Sequence, residues 1–221
     1  MIGDVIRGYS EKYSNASVIE IGCGKGRLSK FFSRENQYYV GVDIQSCDDW
    51  KNSLGKNISF LVCDGIALPF ERDSFDFVII LNSLHHFKEP IRVLNECYRV
   101  CSAQGTILII EPQVFGDYTS VLRPYEDETE TRLEAQQDLK VFSKNFESKN
   151  TNISLTKSKV EFESFDYFIK TIIESEEGRV RPNHSQLKEM KDLFLSLGVT
   201  NRRGNYLLEQ DLLVYSFRMA K

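Results

Sequence analysis

The chain has 221 residues, 41% of them hydrophobic, with 28 Lys and Arg against 32 Asp and Glu, a net charge of −4. The length suits one domain with a sizeable core, and the acidic balance, with no basic cluster longer than Arg202-Arg203, speaks against nucleic acid as a partner. No apolar run nears the ~18 residues that cross a bilayer, no signal-peptide pattern opens the chain, and the five cysteines lie mostly in apolar segments, so a cytoplasmic protein with reduced thiols and no membrane insertion is expected.

In chain order, Val18–Ile21 reads as a short buried strand running into "GCGKG", with a helix expected over Lys25–Arg34. "YYVGVD" (38–43) is a second strand and Cys47–Leu54 a short helix. "ISFLVCD" (58–64) and "FDFVIIL" (75–81) are the third and fourth strands. Over Pro90–Cys101, the residues Ile91, Leu94, Cys97, Tyr98 and Cys101 share a helical face, and "GTILIIEP" (105–112) is a fifth strand. Nearly continuous apolar runs mark strands covered on both faces. Their alternation with helices across short joins predicts βαβ units, and so an α/β fold with a doubly wound, mostly parallel sheet.

The alternation lapses between Gln113 and Asn183. An acidic run there, "EDETETRLE" (126–134), suits a solvated helix start, and amphipathic helices are expected near residues 130–146 and 165–176. Ser185–Leu197 is a helix closed by Gly198, and "LLVYSFRM" (212–219) is a last strand. Because the doubly wound pattern resumes at the end, residues 113–183 read as an insertion into one domain spanning 1–221.

The glycine turn draws most attention. A strand that stops at Gly22, Gly24 and Gly26 leaves bare backbone where ligands bind in such folds. A dinucleotide fingerprint, G-x-G-x-x-G, needs a small third residue for close helix–strand packing, and that position is Arg27. Asp43 ends the second strand 21 residues after Gly22, placed to accept from a ribose diol or to serve only as a cap. Asp64-Gly65 ends the third strand, where an acceptor beside a backbone N–H reads an adenine edge, or an Asx turn accounts for the aspartate.

The succession "VIEIGCGKGRLS", "VGVD", "CDGIALPFERDSFDFVIILNSLHHF", "PIRVLNECYRVCSAQGTILIIEP" and "SQLKEMKDLFLSLGV" resembles the class I S-adenosylmethionine-dependent methyltransferases. The resemblance covers about residues 17–112 and 184–221, and is to the small-molecule branch that includes the ubiquinone and menaquinone biosynthesis enzymes. It implies S-adenosylmethionine as cofactor, held at its methionine end by Glu20 and the Gly22–Gly26 loop, Cys23 included. It also implies Asp43 on the ribose hydroxyls, Ile44 on the adenine ring, Asp64 and Gly65 at the adenine edge, and Asn82 and Ser83 beside the methionine moiety. A seven-stranded Rossmann-like sheet with an antiparallel last strand follows. Residues 113–183, inserted after the fifth strand and carrying Phe115, Tyr118, Tyr125, Phe142, Phe146, Phe162 and Phe168, are expected to form an α-rich cap that binds a small-molecule acceptor, the other reading being a rigid appendage at the sheet's edge or a dimer contact. "SAQGTI" (102–107) departs from the family's Lys-Pro-Gly-Gly turn without touching a cofactor contact.

Methyl transfer needs a base only when the acceptor must lose a proton. His85 and His86 lie just past the fourth strand, and His85 is the candidate for that base; otherwise one histidine packs at the strand end and the other faces solvent. The fourth strand does not end in the Asn/Asp-Pro-Pro-Tyr-type motif of enzymes that methylate exocyclic amines, so oxygen or carbon is favoured over nitrogen. Cys97 and Cys101, at i and i+4 with no further ligand at zinc-like spacing, read as core, and no metal is expected. Two other readings compete: a nicotinamide-dependent oxidoreductase, disfavoured by Arg27 and by the lack of a Tyr-x-x-x-Lys pair, and a non-catalytic module that binds the nucleoside.

Overall fold

The computed structural model describes residues 2–34, 37–53, 55–174 and 179–220. Its strands are β1 (Ser17–Ile21), β2 (Tyr38–Asp43), β3 (Ile58–Val62), β4 (Phe75–Leu81), β5 (Cys101–Pro112), β6 (Thr151–Thr156), β7 (Lys159–Phe162), β8 (Val199–Thr200), β9 (Tyr206–Glu209) and β10 (Leu212–Arg218). The helices are α1 (Ile2–Lys12), α2 (Trp50–Ser53), α3 (Pro90–Val100), α4 (Asp117–Leu122), α5 (Thr129–Ser143), α6 (Phe165–Ile172) and α7 (His184–Leu197). Seven strands form one sheet in the order β3-β2-β1-β4-β5-β10-β6, and β7-β9-β8 form a second. The chain divides into two compact units: Ile2–Glu111 with Leu133–Leu155 and the residues from Leu213 on, and Pro112–Arg132 with Thr156–Leu212.

In the first unit β1 pairs in parallel with β2 and β4, β2 with β3, and β4 with β5. Met219 N–H donates to Gly105 O and Gln113 N–H to Asp211 O, so β10 runs antiparallel to β5. The sheet is therefore mixed, as expected for a Rossmann-like methyltransferase fold. Its strand order reverses between β1 and β4, the switch point beyond whose carboxyl ends ligands bind. Val18, Ile19, Ile21, Val78, Ile80, Ile107 and Ile109 are fully buried, each contributing about 1.5–3 kcal/mol through removal from water.

Three expectations change here. The helix over Lys25–Arg34 does not form: turns lead to a single 3₁₀ turn at Ser29–Phe31. Gly26 has φ +69°, outside the right-handed helical region, so a helix cannot pass through it. The seventh strand is β6, from inside the segment read as an insertion; its mostly exposed edge position leaves no apolar run to find. On α3 the buried stripe is Val93, Leu94, Cys97 and Val100, so Tyr98 faces outward. Leu54 of the short helix expected at Cys47–Leu54, and residues 175–176 of the helix expected at 165–176, lie outside the described residues.

The second unit has its own core of Val121, Phe162, Phe165, Phe168, Ile173, Met190, Phe194 and Leu208. Of the aromatic residues at 113–183, Phe162 and Phe168 are buried there, whereas Phe142 and Phe146 pack on Phe217 in the first unit. Asn183 and Gln186 form the capping box that starts α7.

Candidate active site

The loops that follow β1, β2, β3 and β4 lie at one end of the first unit's sheet, beside Glu111 near the end of β5. Gly22, Gly24 and Gly26 all have positive φ, of 73°, 50° and 69°, which lets the chain turn back within five residues. Gly22 and Cys23 donate to Val42 O at 2.9 and 3.0 Å, tying the turn to β2. A Cβ on Gly22 would sit 2.5 Å from Ser83 Oγ, and one on Gly26 2.5 Å from the Phe60 ring. A Cβ on Gly24 would meet nothing within 4 Å. The outer glycines are required by packing, and the middle one borders open space.

Gly24 is held at both its backbone groups. Its N–H donates to Asp43 Oδ2 at 2.8 Å, and its carbonyl accepts from Trp50 Nε1 at 2.7 Å. Asp43 Oδ1 accepts from Gln45 N–H at 3.2 Å. Each carboxylate oxygen thus has one backbone donor and retains acceptor capacity for a diol. Trp50, the chain's single tryptophan, stacks on Phe60 with centroids 5.0 Å apart. The sequence marked neither Trp50 nor the bond it makes. Ile44, next to Asp43, is 66% exposed, an apolar surface beside the cradle with no protein cover.

Glu20 is 3% exposed and accepts from the Tyr39 hydroxyl. Glu20 and Gly41 are register partners across β1 and β2, which puts Tyr39, two residues earlier on β2, on the same face. Burial pushes the Glu20 carboxyl up to about 8, against the lowering by Tyr39 and with a further rise from Asp43. It makes no ion pair among the described residues, so the site has an acidic group that a ligand's ammonium would complement. Burial also pushes the Cys23 thiol up, which leaves its sulfur protonated and unreactive.

Asp64 accepts from Ile66 N–H at 3.1 Å, an Asx turn. The carboxylate is exposed and its second oxygen stands outside that bond. A Cβ on Gly65 would come 2.9 Å from Phe87 and 3.1 Å from Ile21, so β3's exit is packed against β1. Asn82 turns the chain at φ 50° and donates from its N–H to Ile110 O at 2.8 Å. Ser83 Oγ donates to Ile21 O at 3.1 Å, joining the loop after β4 to the glycine turn.

Glu111, at the end of β5, organises the rest. Its Oε1 accepts from Ser83 N–H at 3.0 Å and Leu84 N–H at 2.9 Å, and its Oε2 accepts from His85 Nδ1. Since an ionised carboxylate only accepts, Nδ1 carries the hydrogen and Nε2 is the basic nitrogen. His85 is 4% exposed and His86 is exposed, their ring centroids 4.1 Å apart. Glu111 was missed from sequence, although a carboxylate closing an otherwise apolar strand was a signal. Cys97 and Cys101 are both fully buried in the core.

Comparisons with known proteins return methyltransferases. The family described as "methyltransferase domain" matches residues 19–109. The "uncharacterized methyltransferase YcgJ" of Bacillus subtilis is 27% identical over 126 residues, 52% of this chain and 50% of its own length. Its crystal structure superposes with TM-score 0.66 at 17% identity, covering 99% of this chain and 97% of that one. A demethylmenaquinone methyltransferase of Lactococcus lactis is 41% identical over 104 residues, 43% of this chain and 41% of the relative. The human "probable tRNA methyltransferase 9B" is 30% identical over 103 residues, 45% of this chain and 22% of the relative. The chain thus spans half or less of the length of these curated relatives. The sheet thus has a Rossmann-like methyltransferase topology, and residues 19–109 within it are similar to the methyltransferase domain family. Among the described residues no helix is long and apolar enough to cross a membrane.

Asp43 offers a direct check on the cradle. Asp43→Ala removes both the carboxylate and the bond that fixes Gly24. S-adenosylhomocysteine should bind ~1.5–3 kcal/mol more weakly, the usual cost of losing hydrogen bonds to a charged group. An unchanged Kd by calorimetry would remove Asp43 from the ligand's contacts.

Proposed function

We propose that the protein transfers the methyl group of S-adenosylmethionine to a small molecule, at oxygen or carbon rather than nitrogen. The observation that carries this reading is Gly24, open on its outer side and held by Asp43 and Trp50 on its inner side. Glu20 and residues 22–26 would hold the methionine end, Asp43 the ribose, Ile44 the adenine face, and Asp64 with Gly65 the adenine edge. Asn82 and Ser83 would close the methionine side. When bound, the cofactor supplies an electrophilic methyl group and its own sulfide leaving group. Alignment is then the protein's main contribution.

His85 is the proposed proton acceptor, kept in one tautomer by Glu111. A base of this kind suits a hydroxyl acceptor, whose proton must leave as the oxygen is methylated. Residues 113–183 would supply the acceptor's surroundings. The net charge of −4 favours a small molecule over nucleic acid, because phosphate neutralisation needs clustered cations.

Incubating the protein with S-adenosylmethionine and a small-molecule cell extract should release S-adenosylhomocysteine in proportion to enzyme. Binding of the cofactor with no turnover in any fractionated extract would favour the non-catalytic module. Turnover only with the RNA fraction would move the acceptor to nucleic acid.

A further inference from the structure

The chain's single tryptophan sits beside the glycine turn, within the first unit. Trp50 opens the four-residue helix α2 and is 9% exposed. Its ring stacks on Phe60 with 11° between the planes, and Phe60 meets Tyr39 edge-on with centroids 6.0 Å apart. Two missing side chains make room for the Phe60 ring. A Cβ would approach it to 2.6 Å at Gly41 in β2 and to 2.5 Å at Gly26 in the turn. The Gly26 Cβ would also come 3.4 Å from Trp50 Cδ1. The indole is thus seated by residues of β2, β3 and the turn itself.

One polar atom of this aromatic stack reaches the turn, where Trp50 Nε1 donates to Gly24 O at 2.7 Å. Gly26 N–H closes the turn on Cys23 O at 2.8 Å, so the Gly24–Lys25 peptide lies at its centre. A trans peptide is planar, with its C=O and N–H pointing opposite ways. Anchoring the carbonyl on Trp50 therefore sets the direction of the whole peptide. Gly24 N–H belongs to the preceding peptide and is fixed separately on Asp43 Oδ2. Asp43 orients one side of Gly24 and Trp50 the other. Packing alone does not call for a tryptophan, since a phenylalanine ring also stacks on Phe60 but carries no N–H.

We propose that Trp50 is a positioning residue for the cofactor: its indole N–H holds the Gly24–Lys25 peptide in the orientation that receives the amino-acid end of S-adenosylmethionine. This role rests on the cofactor reading above. Asp43, Ile44 and Asp64 would take the nucleoside, and the glycine turn the part of the ligand beyond the ribose. Without its anchor the Gly24–Lys25 peptide can rotate, which blunts recognition of that part first. A side chain kept only for packing would instead affect the nucleoside and the amino-acid end alike.

The test compares Trp50→Phe with the unaltered protein by calorimetry, using S-adenosylhomocysteine and 5′-methylthioadenosine. The second ligand keeps the nucleoside and the sulfur but lacks the amino-acid end. W50F should bind S-adenosylhomocysteine ~3–10-fold more weakly, the range for one neutral hydrogen bond, and methylthioadenosine within ~2-fold of the unaltered protein. With one tryptophan in the chain, a nitrogen–proton correlation spectrum shows a single indole signal, which should shift saturably with S-adenosylhomocysteine. An unchanged S-adenosylhomocysteine Kd in W50F, an equal loss for both ligands, or an indole signal that bound S-adenosylhomocysteine leaves unmoved overturns the proposal. Should W50F fail to fold, benzothienylalanine in place of the single tryptophan carries the same comparison. It keeps the bicyclic shape with sulfur where the N–H was, and the same results overturn the role. S-adenosylhomocysteine binding by the unaltered protein separates the two readings. Its absence sinks the cofactor reading and this role with it, whereas normal binding without the W50F selectivity sinks this role alone.

Discussion

His85→Ala is expected to lower kcat by ~10²–10⁴-fold while leaving cofactor affinity nearly unchanged, the range for loss of a positioned general base. His85 sits in a rigid setting: β4 ends at Leu81, Asn82 turns the chain, and Glu111 ties Ser83, Leu84 and His85 to the end of β5. The carboxylate fixes the tautomer, so Nε2 is the nitrogen that gains a proton. Glu111→Gln keeps the shape but replaces one acceptor oxygen with an amide, which cannot hold the same tautomer through Oε2 and Oε1 together. Its effect should fall on kcat more than on KM. Full turnover by H85A on the true acceptor would leave alignment as the source of rate and return His85 to a packing role.

Gly24→Val should abolish cofactor binding, by at least ~100-fold or about 2.7 kcal/mol, with only a modest loss of stability. The backbone there sits at φ +50°, where a side chain costs about 1–2 kcal/mol. No protein atom lies within 4 Å of the new Cβ, so the branched side chain projects into ligand space and clashes with no neighbour. Gly26→Val is the contrasting control. Its Cβ would come 2.5 Å from Phe60, which is stacked on Trp50, and the fold itself should suffer. Circular dichroism melts and calorimetric titrations on both variants separate the two effects. Normal S-adenosylhomocysteine binding by G24V would show that the open space at Gly24 is not ligand space.

These two sites differ in how far the sequence announced them. The glycine turn and its acidic neighbours were readable because strands β1 to β4 are apolar runs punctuated by Gly, Asp and Asn at their carboxyl ends. The doubly wound order followed from the same runs. Glu111 lies in a readable strand, but its role comes from a partner 26 residues away in the chain. Trp50 was equally silent, its bond to Gly24 spanning 26 residues. The helix expected after the turn does not form because the positive φ of Gly26 overrides the apolar periodicity that follows it. β6 and the small β7-β9-β8 sheet were missed because short strands, paired across long separations, leave no local pattern. The aromatic residues of 113–183 suggested a binding surface, and burial now accounts for Phe142, Phe162 and Phe168 as core.

The measurement that bears most directly on the whole account is a calorimetric titration of the intact protein with S-adenosylhomocysteine and, separately, with NAD. The cradle built from Gly24, Asp43 and the exposed Ile44, with Arg27 where a dinucleotide site needs a small residue, predicts saturable one-to-one binding of S-adenosylhomocysteine and none of NAD. Tight binding of NAD, with no heat from S-adenosylhomocysteine, would contradict it.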